Sequence, residues 1–188
     1  MKTKNKILIA TLTTLLSACN GFFDKDNTPP PAKLVAYNPE VRIQSQWQTN
    51  AGSGVGSSYL KFIPAINDSM VFTANHNGVV TAINRNNGKI LWQSNTGVTL
   101  TGGPGIGNDS VIVGSRNGDV IALNQSTGVI LWKTKVPSEV LASPAIANNI
   151  VLIKTIDGKL SALSTQDGHS LWNYQQTEPA LILRGSSS

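Results

Sequence analysis

One eleven-residue pattern occurs three times in this chain at an interval of 40 residues. The copies read AINRNNGKILW, ALNQSTGVILW and ALSTQDGHSLW, and each has a glycine four residues before its final tryptophan. Two further sets keep the interval upstream of the pattern: Gly78, Gly118 and Gly158, and Pro64, Pro104 and Pro144. A period this regular predicts supersecondary units that stack on one another.

Each copy contains apolar, β-branched runs that are separated by turn residues. In the copy from Thr101 to Pro137 the runs are SVIVGS, VIALN and VILWKTKV, which favours short strands over helices. Asn117-Gly118 predicts a two-residue type I′ hairpin, and Asn108-Asp109 predicts another turn. Gly128 predicts a left-handed residue in a longer hairpin. Pro104 predicts a short strand at an inner edge, because proline cannot donate to a ladder.

Four short antiparallel strands per copy cannot bury both faces of their sheet, so the copies must pack face to face around an axis. The sequence therefore predicts an all-β fold, a β-propeller of four-stranded antiparallel blades. Residues 41–50 predict an orphan outer strand, and residues 178–188 would begin a further blade. Because propellers usually need at least four blades to close, we expect an incomplete arc, either part of a larger protein or a truncated product. The predicted blades are about 57–97, 98–137 and 138–177.

The tryptophans keep equivalent places in these units. Identical aromatic residues at a fixed spacing are typical of packing, so we expect them to cap the space between blades; stacking on a flat ligand is the alternative. They are Trp47, Trp92, Trp132 and Trp172.

Residues 1–18 predict a lipoprotein signal peptide. A basic segment leads into the apolar run Ile7–Leu16, which is too short to span a bilayer. The run ends in Leu-Ser-Ala-Cys, which resembles a bacterial lipobox and implies acylation of Cys19; an ordinary secretory signal is the alternative. By the same resemblance, Asn20 favours the outer membrane, on its periplasmic face.

The residues after the predicted lipid anchor form a tether in our interpretation. Residues 19–40 have too little apolar content to fold and contain three consecutive prolines. They would connect the anchor to a partial propeller at 41–188. Cys19 is the only cysteine, so no disulfide can form within the chain.

The net charge of +5 does not indicate a nucleic-acid partner. Lys2, Lys4 and Lys6 supply three of these charges, which leaves +2 for the rest of the chain. No run of lysine or arginine occurs elsewhere.

The repeat, with its Gly-x-x-x-Trp ending, resembles that of pyrroloquinoline-quinone-type propellers. A lipobox, a short tether and these repeats in this order resemble the BamB family, the lipoprotein subunits of the bacterial outer-membrane β-barrel assembly (BAM) machinery. The resemblance implies an eight-bladed propeller without catalytic activity or cofactor. It also implies binding to the periplasmic domains of the barrel component BamA, association with other BAM subunits, and a role with outer-membrane protein substrates.

The segment Pro179–Gly185, PALILRG, resembles a Leu-x-Leu-Arg segment of that family. The resemblance implies that Leu181, Leu183 and Arg184 dock to BamA. Adding 40 to the Ser-Pro pair at 143–144 leads to Leu183 and Arg184, so the repeat departs from its pattern here, as functional sites often do. The alternatives are that both leucines are core residues of a fourth blade, and that blade edges capture substrate strands by β-augmentation.

A quinoprotein dehydrogenase uses the same repeat and is the alternative function. Such enzymes are known to place their quinone on the propeller axis beside an acidic calcium site. In this chain the acidic residues fall mainly at turns. His76 and His169 occupy different repeat positions, without metal-ligand partners nearby in sequence. We also find no nucleophile–base pair, so the sequence disfavours catalysis, a cofactor and a metal site.

Overall fold

The computed structural model describes residues 29–35, 41, 43–56 and 58–175. The chain divides into two units, Met1–Ile43 and Gln44–Ser188. The described residues of the first unit carry no helix or strand. No helix within the described ranges is long and apolar enough to cross a membrane.

The described part of the second unit consists of twelve strands in three four-stranded antiparallel sheets, which confirms the all-β fold class. In each sheet the strands are neighbours in chain order. The first sheet contains β1 (Ala65–Ile66), β2 (Met70–Ala74), β3 (Val79–Asn84) and β4 (Ile90–Asn95). The second contains β5 (Leu100–Gly107), β6 (Ser110–Ser115), β7 (Asp119–Asn124) and β8 (Ile130–Lys135). The third contains β9 (Ala145–Ala147), β10 (Ile150–Lys154), β11 (Lys159–Ser164) and β12 (Ser170–Gln175).

The first strand of each sheet lies at an edge, as the proline positions predict. β1 and β9 have two and three residues, but β5 has eight, so the expectation of a short strand is wrong for the second sheet. Pro104 lies within β5, where the pairing with β6 shifts register between Gly102 and Gly105. Proline is tolerated at such an irregularity of an edge strand because no regular ladder donor is required there.

The predicted type I′ turn at Asn117-Gly118 is wrong in its type. Gly118 has φ 79°, but Asn117 is not among the residues with positive φ. Ser115 Oγ accepts hydrogen bonds from the backbone N–H groups of Asn117 and Asp119, at 3.2 and 2.8 Å. These bonds favour a three-residue connection that ends in a left-handed glycine.

A two-residue turn with positive φ at both positions occurs instead in the preceding hairpin, between the first and second strands of the sheet. Asn108 and Asp109 have φ values of 46° and 56°, and they alone separate β5 from β6. Asn148 and Asn149 join β9 to β10 in the same way, with φ values of 49° and 64°. Asparagine and aspartate tolerate the left-handed region better than other non-glycine residues.

The second sheet is buried on both faces. Val111 and Val113 of β6 pack with Phe72 of the first sheet, whereas Ile112 of the same strand packs with Val151 of the third sheet. Successive side chains of a strand point to opposite faces, so a strand between two sheets must be apolar throughout. This explains why β6 reads SVIVGS rather than alternating with polar residues, and why all its residues are buried.

Candidate docking surface

The residues with a predicted partner or lipid role lie outside the described ranges: Cys19, Leu181, Leu183 and Arg184. The four repeat tryptophans are described. Among the described residues, the third sheet is the element that directly precedes the predicted docking segment in the chain. Its outer face is therefore the candidate surface.

Trp47, Trp92 and Trp132 each contact the sheet that follows them in the chain. The Trp92 indole N–H donates to the Gln125 carbonyl at 2.8 Å, and that of Trp132 donates to the Thr165 carbonyl at 2.8 Å. Trp47 makes the same bond to the Arg85 carbonyl, also at 2.8 Å. Residues 44–50 pair with no strand in the described chain, yet Trp47 packs on the first sheet as Trp92 packs on the second.

Each of these indole rings also covers a glycine in the hairpin between the third and fourth strands of the next sheet. A Cβ added to any of these glycines would lie within 3 Å of ring atoms. Their φ values of 71°, 73° and 74° confirm the predicted left-handed conformation. The ring–glycine pairs are Trp47–Gly88, Trp92–Gly128 and Trp132–Gly168. The Trp92 and Trp132 contacts join adjacent sheets, and the Trp47 contact joins the preceding segment to the first sheet. These contacts support the interpretation that the repeated tryptophans serve packing.

The outer face of the third sheet exposes the apolar residues that the other sheets bury. Trp132 is 8% exposed, whereas Trp172 is 44% exposed and contacts no following sheet among the described residues. Trp172, Ala145, Ile150 and Leu152 line an open, mostly apolar groove on this face. A contiguous apolar patch of this kind is typical of a surface that another element or partner covers.

One position on this face differs from its counterparts. Ala74 of β2 and Gly114 of β6 are buried where the following sheet packs, whereas Lys154 of β10 is exposed at the equivalent place. No motif in the sequence singles out Lys154. Alignment of the three copies at the 40-residue interval shows the difference, because it places Lys154 beneath two small residues.

An ion pair lies in the next turn of the third sheet. Lys159 Nζ is 2.9 Å from Asp157 Oδ2, and Thr155 Oγ1 donates to Asp157 Oδ1 at 2.6 Å. Although partial burial would raise the pKa of the Asp157 carboxyl, the hydrogen bonds from Thr155 and Lys159 hold it below its ordinary value.

This lowered pKa predicts a pH-dependent effect of Asp157→Asn. The carboxylate stabilises the fold above its ordinary pKa of 3.8, and the contribution is lost as the pH falls through the lower pKa of the folded state. We expect the variant to melt a few degrees below the parent at pH 7 and together with it in strong acid. Asp68→Asn, at an exposed residue without an ion pair among the described residues, should leave the melting temperature unchanged. A constant difference across the pH range would contradict the assignment.

The described histidines form no evident catalytic or metal-binding constellation. The His76 Nδ1 atom is 3.3 Å from the Leu100 carbonyl oxygen. His169 pairs with Asp167 at 2.6 Å, both side chains are exposed, and the hydrogen bond from His169 lowers the pKa of the Asp167 carboxyl. In the described ranges no three His, Cys, Asp or Glu residues come together to hold a metal ion.

Comparison with known proteins finds matches in one family. Residues 76–188 match the family model described as outer membrane protein assembly factor BamB. The protein of that name from Legionella pneumophila (strain Paris) is 37% identical over 106 residues, which are 54% of this chain and 28% of that protein. The one from Escherichia coli (strain K12) is 34% identical over 79 residues, 42% of this chain and 20% of that protein. The matched region thus spans about a quarter of these relatives.

Solved structures support the same architecture. BamB from Moraxella catarrhalis superposes with a TM-score of 0.60 at 29% identity, over 67% of this chain and 38% of that one. A europium-containing methanol dehydrogenase superposes with a TM-score of 0.52 at 19% identity, over 62% and 24% of the two chains. The first likeness confirms the predicted incomplete β-propeller, and the second shows the fold alone.

Proposed function

The chain belongs to the family of the outer membrane protein assembly factor BamB, and we propose from this membership that it is a non-enzymatic scaffold of the BAM machinery. It would bind the periplasmic domains of BamA, associate with other BAM subunits and assist the assembly and insertion of outer-membrane proteins. The observation that carries the proposal is the family match over residues 76–188, which includes the segment PALILRG.

In this proposal the contact with BamA is made by Leu181, Leu183 and Arg184. Two leucines supply apolar anchors, and the arginine supplies a planar fork of donors for a carboxylate or a backbone carbonyl. The apolar groove beside Trp172 supports the choice of this region, because it lies on the last described sheet before the segment.

The lipid anchor would keep this surface close to the membrane that holds BamA. Cys19 would carry the lipid on the periplasmic face of the outer membrane, and residues 19–40 would act as the tether. A flexible chain of about 20 residues has a root-mean-square reach of roughly 25 Å. The propeller would therefore be held beside the membrane without being embedded in it.

The non-enzymatic part of the proposal rests on family membership. In structural superposition the matched residues are 29% identical to BamB from Moraxella catarrhalis but only 19% identical to a dehydrogenase that shares the fold. Dye-linked oxidation of alcohols after addition of pyrroloquinoline quinone and Ca²⁺ would overturn this part.

Retention by BamA tests the docking residues. We expect the double substitution Leu183→Ala plus Arg184→Ala to reduce capture by the immobilised periplasmic domains at least about tenfold, because it removes an anchor and a charged donor from one small contact. Amounts retained are measured by titration at fixed salt concentration.

The first copy of the repeat offers a matched control. Ile63 is 53% exposed and stands 120 residues before Leu183, and Lys61 is a cation beside it. The double substitution Ile63→Ala plus Lys61→Ala removes similar groups and should leave capture unchanged. Equal retention of the two double variants would count against the docking assignment.

A further inference from the structure

Three Asn-Gly pairs lie in turns of the described chain, and the proposed function uses none of them. In such a pair the backbone nitrogen of the glycine can attack the side-chain amide carbon of the asparagine, because glycine has no Cβ to obstruct the approach. All three asparagines are exposed to water, so sequence and exposure alone do not distinguish them. The pairs are Asn77-Gly78, Asn87-Gly88 and Asn117-Gly118.

Hydrogen bonds hold the side-chain amides of two of these asparagines. Asn77 Nδ2 donates to Ser53 Oγ at 3.0 Å, and Asn87 Oδ1 accepts the Lys89 backbone N–H at 3.0 Å. The amide carbon reaches the next backbone nitrogen only after the side chain rotates, and each of these bonds opposes that rotation. The Asn117 amide makes no hydrogen bond with any described residue. It can therefore rotate toward Gly118 without such a loss.

The backbone hydrogen bonds of the glycines add a second distinction. The Gly88 N–H donates to the Asn84 carbonyl at 2.9 Å, whereas the Gly78 and Gly118 N–H groups donate to carbonyls at 3.2 and 3.3 Å. The proton on this nitrogen must leave before the attack, and a longer hydrogen bond holds it less firmly. The side-chain bond thus protects Asn77, and both bonds protect Asn87. Asn117 has neither protection.

We propose that Asn117 is a site of spontaneous deamidation. The Gly118 nitrogen forms a bond to Asn117 Cγ, the bond between Cγ and Nδ2 breaks, and the amide nitrogen leaves as ammonia with the proton that Gly118 loses. The product is a five-membered succinimide ring, which water opens at either carbonyl. One opening gives aspartate, and the other gives isoaspartate, in which the side-chain carbon lies in the backbone.

The turn that contains Asn117 holds the segments that enter and leave the second sheet. The Arg116 N–H donates to the Thr99 carbonyl at 3.2 Å, and the Gly118 carbonyl accepts the Val136 N–H at 2.8 Å. A Cβ added to Gly118 would overlap the Val136 carbonyl oxygen, so the turn has no room to expand there. Isoaspartate lengthens this three-residue connection by one backbone carbon. We therefore expect it to loosen the contact with Val136.

The third copy of the repeat shows what an aspartate needs at this place. Asp157 stands 40 residues after Asn117. Its carboxylate accepts a hydrogen bond from Thr155 Oγ1 at 2.6 Å and lies 2.9 Å from Lys159 Nζ. At the position equivalent to Lys159, the second copy has Asp119. Aspartate formed at 117 would therefore lie beside a second carboxylate instead of a cation, which disfavours its charged form.

Ageing of the 188-residue chain in mildly alkaline buffer tests the order of reactivity. We expect Asn117 to be converted several times faster than Asn77 and Asn87 in the folded chain. In concentrated urea the three residues should be converted at similar rates, since each is followed by glycine. Peptide mass spectrometry with fragmentation measures the converted fraction at each residue. Faster conversion of Asn77 or Asn87 in the folded chain, or the same order in urea, would overturn the inference.

The substitution Ser53→Ala tests the cause of this order. It removes the acceptor of the Asn77 amide, so the rate at Asn77 should rise toward that at Asn117, which should not change. Ser126→Ala is the matched control, because Ser126 is exposed and its side chain bonds no asparagine amide among the described residues. An unchanged rate at Asn77 in Ser53→Ala would show that the side-chain bond does not protect, contrary to the inference.

Thermal melting measures the effect on the fold. Asn117→Asp imitates one product and should melt below the parent chain, and Asp119→Asn in the same chain should restore most of that loss, so the two effects are not additive. Asn117→Gln, whose longer side chain closes the ring far more slowly, should keep its melting temperature on ageing while that of the parent falls. A parent that melts unchanged after conversion would overturn the effect on the turn. None of these measurements involves BamA, so they are independent of the proposed function.

Discussion

Replacement of Trp132 by alanine is expected to lower the free energy of unfolding by about 3–5 kcal/mol. The indole of Trp132 is 8% exposed, fills the space between the second and third sheets, and donates a hydrogen bond to the Thr165 carbonyl. Alanine would leave a cavity above Gly168 and a carbonyl without its donor. Urea denaturation followed by circular dichroism measures the loss. Trp132→Phe should lose less, because it keeps a ring over the glycine.

Trp172→Ala is the matched control for this prediction. Trp172 occupies the same place in the third sheet as Trp132 in the second, but it is 44% exposed. Its removal creates no enclosed cavity in the described structure, so we expect a loss below about 1 kcal/mol, as for most surface substitutions. If the two alanine variants were equally destabilised, the stabilising effect would belong to the tryptophan within its own sheet rather than to the contact between sheets.

The architecture could be predicted because one period governs all three sheets. The 40-residue interval repeats glycine, proline and tryptophan together, and four short apolar runs per interval leave few folds other than a propeller. The left-handed glycines at 88, 128 and 168 were also predictable, because the hairpins that contain them need a residue without Cβ. In these places the local backbone preference and the packing favour the same conformation, so the sequence alone predicts it.

The turn types could not be predicted in the same way. Asn117-Gly118 has the composition of a type I′ turn, but the side chain of Ser115 accepts two backbone hydrogen bonds and selects another connection. Asn148-Asn149 lacks a glycine and still forms the two-residue turn. The choice depends on side chains two or more residues away, which a dipeptide rule does not consider.

The candidate site was only partly accessible to sequence reasoning. Leu181, Leu183 and Arg184 were found through a resemblance and through the break in the repeat, and their role remains a prediction. Lys154 was missed because a lysine in a strand looks like an ordinary surface residue. Its departure from the repeat emerges only when the structure shows that Ala74 and Gly114 are buried at equivalent places between sheets.

The glycine that lies under the indole ring is the second position at which a substitution should strongly destabilise the contact between sheets. Gly128→Ala is expected to cost about 2–5 kcal/mol, because it combines a left-handed alanine with a steric clash. Gly128 has φ 73°, and an added Cβ would lie 2.5 Å from the Trp92 ring. Trp92 is fixed there by its hydrogen bond to the Gln125 carbonyl, so it cannot retreat without losing that bond. Urea denaturation again measures the effect.

Gly97→Ala separates the two causes of this loss. Gly97 has φ 74°, within a degree of Gly128, but an added Cβ would meet nothing within 4 Å. It should therefore cost only the backbone term of about 1–2 kcal/mol. The difference between the two variants measures the close approach of the Trp92 ring. In a Trp92→Ala background, where the ring is absent, adding Gly128→Ala should cost no more than adding Gly97→Ala. If Gly128→Ala remained more costly than Gly97→Ala without the ring, the glycine would be required by its hairpin alone, and the first and second sheets would be held together by their apolar cores rather than by the indole–glycine contact.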